Sequence, residues 1–193
     1  LVTEVVNEFP ELQGIMGAYY AKKEKYNANV TEAICNQYKP LGPSDKLPHT
    51  KLGKFVSLID KVDSMVGFFI IGKQPTSSKD PFALRRTALG IIRIVIEGEL
   101  DFNLSDIISN SLDSYKNFGF SKKLSDETIY KYIKNKILQF ILERYEYLIK
   151  DNKSYKNNYF RSIRYNLLKI NLLKINDNLV FLSSFLNSSE GLK

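Results

Sequence analysis

The sequence has a single cysteine, Cys35, and a single histidine, His49, in its 193 residues. One cysteine excludes an internal disulfide bond. Structural zinc sites use several cysteine and histidine ligands, so a zinc site built only from this chain is not expected either. These shortages predict an intracellular protein, kept in a reducing compartment and holding no metal of its own.

Long apolar runs are also missing. The most apolar stretch, residues 65–71, is followed at once by the polar segment 72–75, whereas a membrane-spanning helix needs about 20 mostly apolar residues. The first residues, from Leu1, do not show the basic, apolar and small-residue pattern of a secretory signal. We expect a cytoplasmic protein without a membrane partner, and we expect the chain to be a piece of a longer one.

The composition is that of a folded domain, with 44% hydrophobic and 25% charged residues. The 28 basic residues exceed the 21 acidic ones, which gives a net charge of +7. Such a surplus favours a polyanionic partner. Much of it is lysine scattered among asparagine, isoleucine and tyrosine, a bias also expected from a genome rich in A and T. Charge alone therefore leaves a nucleic-acid partner open.

Apolar residues recur at spacings of three and four along the whole chain, which predicts an all-α fold. A short helix is predicted after an N-cap at Thr31, and a central helix over residues 51–71 after Thr50. The inner face of the central helix is predicted to be Phe55, Ile59, Val62, Val66 and Ile70.

Two carboxylates lie near that predicted inner face. Asp63 falls inside the apolar arc of the central helix, whereas Asp60 lies at its margin. Because a buried charge without a partner is costly, Asp63 is expected to pair with an arginine of the next helix. Asp60 is expected to be solvated. A metal corner or acid–base couple formed by the two aspartates is the weaker interpretation, because this spacing is common.

The pair Asp80 and Pro81 combines an N-cap residue with proline at the first helical position, which predicts a helix over residues 81–98. This helix carries Arg85, Arg86 and Arg93, and guanidinium groups can bind phosphate through two hydrogen bonds. The alternative is internal pairing, with Arg85 or Arg86 bound to Asp63 and Arg93 bound to Glu97.

The loop before this helix adds Lys73 and Lys79 close to a helix N-terminus, where anions are stabilised. Asp80 at the cap would repel an anion. The sequence thus leaves two roles open for these charges. One is phosphate binding by Lys73, Lys79, Arg85, Arg86 and Arg93; the other is structural ion pairing that involves Asp63, Asp80 and Glu97.

Enzyme motifs are absent: there is no phosphate-binding P-loop, no dinucleotide fingerprint and no glycine-flanked serine with a suitable histidine. Cys35 is predicted to be a small, partly buried apolar residue. His49 is predicted to have a surface or capping role. We therefore predict no catalytic residue and no metal ligand.

Two long stretches, residues 1–17 and 75–86, resemble the signature segments of the bacterial glycyl-tRNA synthetase beta subunit. Between them, Leu47-Pro48 and residues 59–63 fit the same pattern. The resemblance implies a beta subunit that recognises tRNA(Gly) beside a separate alpha subunit in an alpha2beta2 assembly. It also implies that glycine, ATP and Mg bind the alpha subunit, with no cofactor in this segment.

The middle of that family's chain is similar to a helical HD-type domain. HD phosphohydrolases hold metal with histidines and aspartates, and here only Asp63 could stand for one of these ligands. The resemblance therefore implies an HD-like fold without the metal-binding histidines and without hydrolysis. It places an HD-like helical core at residues 1–98 and a helical extension at 99–193, packed into the same domain.

Two functions follow from the resemblance. The leading one is a non-catalytic helical module of glycine–tRNA ligase that supports tRNA(Gly) binding and aminoacylation in translation. The alternative is a scaffold for the alpha subunit or for assembly between domains, with no direct tRNA contact.

Overall fold

The computed structural model describes residues 4–119, 122–151 and 169–188, and these residues form eight α-helices without a strand. The all-α prediction is therefore confirmed. The helices are α1 (Glu4–Glu8), α2 (Ile15–Lys23), α3 (Ala28–Asn36), α4 (Lys51–Ile70), α5 (Leu84–Glu97), α6 (Leu104–Asn117), α7 (Glu127–Asp151) and α8 (Leu172–Leu186). Short 3-10 turns cover Pro10–Leu12 and Lys122–Ser125.

Helices α4, α5, α6 and α7 form the centre of the fold, where α4 contacts the other three and α5 also contacts α7 and α8. Helices α2 and α3 pack on each other and join the centre through α4. One cluster of buried apolar side chains runs from Leu58 in α4 through Ile91 and Ile137 to Leu179 in α8. The helices on both sides of residue 98 thus share a core, while the HD-like assignment and the domain boundary at 98 stay predictions.

Helix α4 begins as predicted, because the Thr50 hydroxyl accepts the N–H of Gly53 at 3.0 Å. Its inward face is only partly as predicted. Val62 and Val66 are buried, but Phe55 is 40% exposed and Ile59 is 56% exposed. The buried face instead consists of Leu58, Val62, Met65, Val66 and Phe69. The helix thus carries two apolar stripes, and the one that contains Phe55 and Ile59 is left partly exposed.

Helix α5 begins at Leu84, three residues after the predicted start. Ala83 has a left-handed backbone with φ 54°, which separates Pro81 from the helix. Asp80 nevertheless caps the helix, since its carboxylate accepts the N–H groups of Leu84 at 2.8 Å and Arg85 at 2.9 Å. A turn at residues 81–83 separates Asp80 from the helix that it caps. The predicted start of α5 is therefore wrong, whereas the predicted capping role of Asp80 is confirmed.

Two other boundaries differ from the sequence prediction. Helix α3 is capped by Asn27, whose side chain accepts the N–H of Asn29 at 2.8 Å, and Thr31 lies inside the first turn. Near the C-terminus, the helical spacing of the sequence predicts two helices, one within residues 159–176 and one within 177–187, but α8 runs unbroken from Leu172 to Leu186. Most of the first of these ranges, residues 159–176, lies outside the described residues. No helix in the three described ranges is long and apolar enough to cross a membrane.

Candidate nucleic-acid interface

Two loops flank helix α5. The 37–50 loop joins α3 to α4, and the 71–83 loop joins α4 to α5. All five basic residues selected from the sequence lie in the 71–83 loop or on α5. Their availability for an anionic partner depends on what each side chain already contacts.

Arg93, near the end of α5, is fully engaged by the protein itself. Its Nη1 atom donates to the backbone carbonyls of Gly42 at 3.0 Å and Asp45 at 2.9 Å. Its Nε and Nη2 atoms bind the carboxylate of Glu97 at 2.6 and 2.9 Å. The hydrogen bonds that Arg93 donates to Glu97 raise the pKa of Arg93 above its usual value. Arg93 therefore holds the 37–50 loop against α5. Because its Nε, Nη1 and Nη2 atoms already have acceptors, it is poorly placed to bind a phosphate.

The 37–50 loop is also held by α4. The Lys61 ammonium donates to the carbonyl of Tyr38 at 2.8 Å, and the Ser57 hydroxyl donates to the carbonyl of Lys39. Lys61 is only 7% exposed, and burial lowers the pKa of its ammonium to about 8. Gly90 makes room for this side chain, because a Cβ there would lie 2.9 Å from Cε of Lys61.

Helix α3 holds the end of the same loop through Glu32. The Glu32 carboxylate accepts the Thr50 hydroxyl, the backbone N–H of His49 at 3.1 Å and the amide of Asn36 at 2.9 Å. Burial raises the pKa of Glu32, but these hydrogen bonds together lower it below its usual value. The imidazole of His49 is exposed, and Cys35 is partly buried.

The 71–83 loop presents its charges outward. The backbone N–H of Thr76 donates to the carbonyl of Lys79 at 2.9 Å, and the backbone N–H of Lys79 donates to the Thr76 hydroxyl at 3.2 Å. These two hydrogen bonds close a tight turn. The side chains of Lys73 and Lys79 are exposed. Within the described ranges, neither ammonium has a hydrogen bond or an ion pair.

The two adjacent arginines at the start of α5 differ. Arg85 donates to the carbonyl of Thr76 and lies 3.9 Å from the Asp80 carboxylate, so it helps to hold its own loop. Arg86 is exposed and has no hydrogen bond or ion pair with any other described residue. The guanidinium of Arg86 is therefore available to a partner, while that of Arg85 is only partly so.

The arginine partner expected for Asp63 is not found among the described residues. Asp63 is exposed, and its carboxylate accepts the Ser111 hydroxyl at 2.9 Å and the Tyr115 hydroxyl at 3.2 Å, both from α6. The prediction failed because the side of α4 that carries Phe55 and Ile59 turns away from α5. Helix α6, rather than α5, supplies the partners.

Asp60 also differs from its expectation, because it is half-buried rather than solvated. Burial raises the pKa of its carboxyl, Lys61 opposes this shift, and Asp63 adds to it. Asp60 lines a cavity of about 220 Å³ between α4, α5 and the 37–50 loop. Its walls are Tyr38, Pro40, Leu41, Asp60, Lys61, Ser64, Ala83, Arg86 and Thr87.

Sequence reasoning missed this cavity and the contribution of Tyr38 to it. The walls come from residues about 50 positions apart in the chain, so no local pattern shows that they meet. In the part of the chain that the structure describes, no three His, Cys, Asp or Glu side chains are grouped closely enough to hold a metal ion. The arrangement offers unpaired cations, one half-buried carboxylate and an aromatic residue, which are groups that bind polyanions and bases.

Comparison with known proteins finds one family in each case, the glycyl-tRNA synthetase beta subunit. The sequence profile of the family described as "Glycyl-tRNA synthetase beta subunit" matches residues 1–164. The glycine--tRNA ligase beta subunit of Rickettsia africae is 44% identical over 191 residues, which cover 99% of this chain and 26% of the relative. That of Rickettsia canadensis is 46% identical over 152 residues, covering 79% of this chain and 21% of the relative.

The protein of the same name from Acinetobacter baumannii is 51% identical over 115 residues, which cover 60% of this chain and 17% of the relative. The chain spans about a quarter of the length of the Rickettsia africae relative. The similarity to the two Rickettsia proteins thus covers most of this chain but only a part of theirs.

Proposed function

The chain belongs to the glycyl-tRNA synthetase beta subunit family, and from this premise we propose that it is a helical module of a glycine–tRNA ligase. In this proposal the module supports tRNA(Gly) binding during aminoacylation and performs no chemistry itself. It works in the cytoplasm beside an alpha subunit, within an alpha2beta2 assembly, and the alpha subunit binds ATP and Mg.

The observation that carries the tRNA proposal is the set of unpaired cations around the start of α5. Lys73, Lys79 and Arg86 are exposed and are not neutralised by any described residue. A phosphate backbone supplies the negative charges that these groups lack, and each contact releases a condensed counterion. Arg85 and Asp80 hold the loop in place, so the three cations are presented by an ordered backbone.

The test is a titration of the chain with tRNA(Gly) over a series of salt concentrations. We expect log K to fall linearly with log salt, by about 0.7–0.9 per phosphate contact. The double variant Lys73→Ala/Lys79→Ala should weaken binding and flatten this slope. The matched control Lys22→Ala/Lys23→Ala removes two exposed lysines of α2. It should reduce the tRNA affinity and the salt slope less than the first variant does. Binding that is absent, or that does not respond to salt, would contradict the proposal.

The second candidate is the scaffold role, and a different surface favours it. Phe55 and Ile59 are exposed on α4 and, with Val62 and Ile107, line an apolar groove of about 290 Å³ between α4 and α6. Exposed apolar surfaces of this kind commonly bind other proteins. The internal contacts of Arg93 fit this role as well.

One experiment separates the two candidates. Sedimentation of the chain with the purified alpha subunit should show a complex if the chain is a scaffold, and Ile59→Lys should disrupt it. Arg86→Glu should instead reduce tRNA binding and leave that complex intact. If Arg86→Glu folds and binds tRNA as well as the wild type does, the scaffold role is the better account.

A further inference from the structure

The cavity beside α5 contains two opposite charges that do not neutralise each other. Asp60 and Arg86 both line it, yet no hydrogen bond or ion pair joins them, and neither binds another described side chain. A half-buried carboxylate normally acquires a hydrogen-bond donor, because desolvation without one is costly. Lys61, which lines the same cavity, donates instead to the carbonyl of Tyr38.

An external ligand could bind both Asp60 and Arg86, and the residue types that line the cavity indicate the chemistry of that ligand. Tyr38 places an aromatic residue at the cavity, and aromatic side chains stack on unpaired bases. A carboxylate accepts hydrogen bonds from the amino groups of cytosine, adenine or guanine, while uracil has no amino group. A guanidinium binds phosphate through two hydrogen bonds.

The size and position of the cavity favour one nucleotide of an RNA strand. At about 220 Å³ it is smaller than the roughly 300–1,000 Å³ sites of drug-sized ligands. Ala83, at its wall, is the last residue of the 71–83 loop, which carries Lys73 and Lys79. A strand whose phosphates contact these lysines and Arg86 would reach the mouth of the cavity, because Arg86 is part of its wall.

We propose that the cavity holds one unpaired RNA nucleotide whose base carries an amino group. Asp60 accepts a hydrogen bond from that amino group, Arg86 binds the adjoining phosphate, and Tyr38 stacks on the base. This inference rests on the proposed function, because it identifies which part of an RNA the surface around α5 would recognise.

The experiment compares short single-stranded oligocytidine and oligouridine of equal length by fluorescence anisotropy at one salt concentration. We expect the wild-type chain to prefer oligocytidine about tenfold. Asp60→Asn should abolish or reverse this preference, because an amide can donate to the O4 atom of uracil. Arg86→Ala should weaken binding of both oligonucleotides.

Two controls make the test specific. Asp63→Asn removes a carboxylate of the same helix that lies outside the cavity, and the preference should persist. Cytidine monophosphate distinguishes a strand from a free nucleotide, and it should displace oligocytidine only weakly because it lacks the contacts to the lysines. Circular dichroism should show that each variant keeps its helices.

Equal binding of the two oligonucleotides, a preference that survives Asp60→Asn, or complete displacement by the monophosphate would overturn the inference. In these cases salt-dependent binding of tRNA(Gly) would persist, and the proposed function would stand. Loss of all RNA binding by the wild-type chain would overturn both, so the two failures can be told apart.

Discussion

The 37–50 loop and the 71–83 loop flank the same helix but are held in opposite ways. Side chains from three helices bind the first loop, namely Glu32 of α3, Lys61 of α4 and Arg93 of α5. The second is held by its own turn at Thr76 and its cap at Asp80, by Arg85 at the start of α5 and by the stacking of Phe82 on Phe68 of α4. None of these contacts uses the side chain of Lys73, Lys79 or Arg86. The cations that contact the 37–50 loop are bound to its backbone carbonyls, whereas the lysine side chains of the 71–83 loop have no partner among the described residues.

The difference shows that net charge overstates what a protein can offer to a polyanion. Arg86 and Arg93 lie on the same helix, yet only Arg93 has backbone carbonyls within reach. Lys61 is likewise counted in the net charge of +7 although it is buried against Tyr38. The cations that matter for binding are those without internal partners.

The largest expected effect is on Arg93, because removing it breaks the contact between α5 and the 37–50 loop. Arg93→Met should lower the free energy of unfolding by about 3 kcal/mol, since two backbone carbonyls and Glu97 lose their donors. Urea denaturation measures this change. Arg86→Met is the matched control and should shift stability by less than about 0.5 kcal/mol. Equal losses from both variants would remove the contrast between the two loops.

The next effect concerns the buried ammonium of Lys61. Burial lowers its pKa to about 8 in the folded chain, from the ordinary lysine value of 10.5 that applies to the unfolded chain. Between these values the unfolded state binds more protons, so stability should rise with pH as the folded state releases its proton. Relative to Lys61→Met, the wild type should gain about 2 kcal/mol between pH 8 and pH 10. Urea denaturation at several pH values tests this, and a difference that is independent of pH would show that Lys61 is not buried as a cation.

A smaller effect is expected in the 71–83 loop. Asp80→Ala removes the acceptor for the N–H groups of Leu84 and Arg85, which should cost about 1 kcal/mol. Asp80→Asn retains one acceptor and should cost less. Thermal denaturation compares the two variants. A loss as large as that of Arg93→Met would mean that this loop is held as firmly as the 37–50 loop.

Local features of the fold could be predicted from the sequence. The helical periodicity, the Thr50 cap and the capping role of Asp80 are properties of short segments, and all three are confirmed. The start of α5 was missed because Pro81 is favoured both in a first helical turn and in the turn that precedes it. Choosing between these needs the left-handed conformation of Ala83, which no sequence rule indicates.

The arrangement of the site could be predicted only in part. The residue types of Lys73, Lys79 and Arg86 mark them as candidates for phosphate binding, but residue type alone does not distinguish them from Arg93. That separation depends on carbonyls about 50 residues away in the chain. The cavity at Asp60 was missed for the same reason, because its walls meet only after the 37–50 loop has folded onto α4 and α5.

The most direct test of the account measures tRNA(Gly) affinity against salt, together with urea stability, for Arg86→Ala and Arg93→Lys. Arg86→Ala should reduce the slope of log K against log salt by about 0.7–0.9 and leave stability unchanged. Arg93→Lys should lower stability, because an ammonium cannot replace the planar guanidinium, and leave the slope unchanged. An unchanged slope in Arg86→Ala, or a reduced slope in a folded Arg93→Lys, would contradict the account.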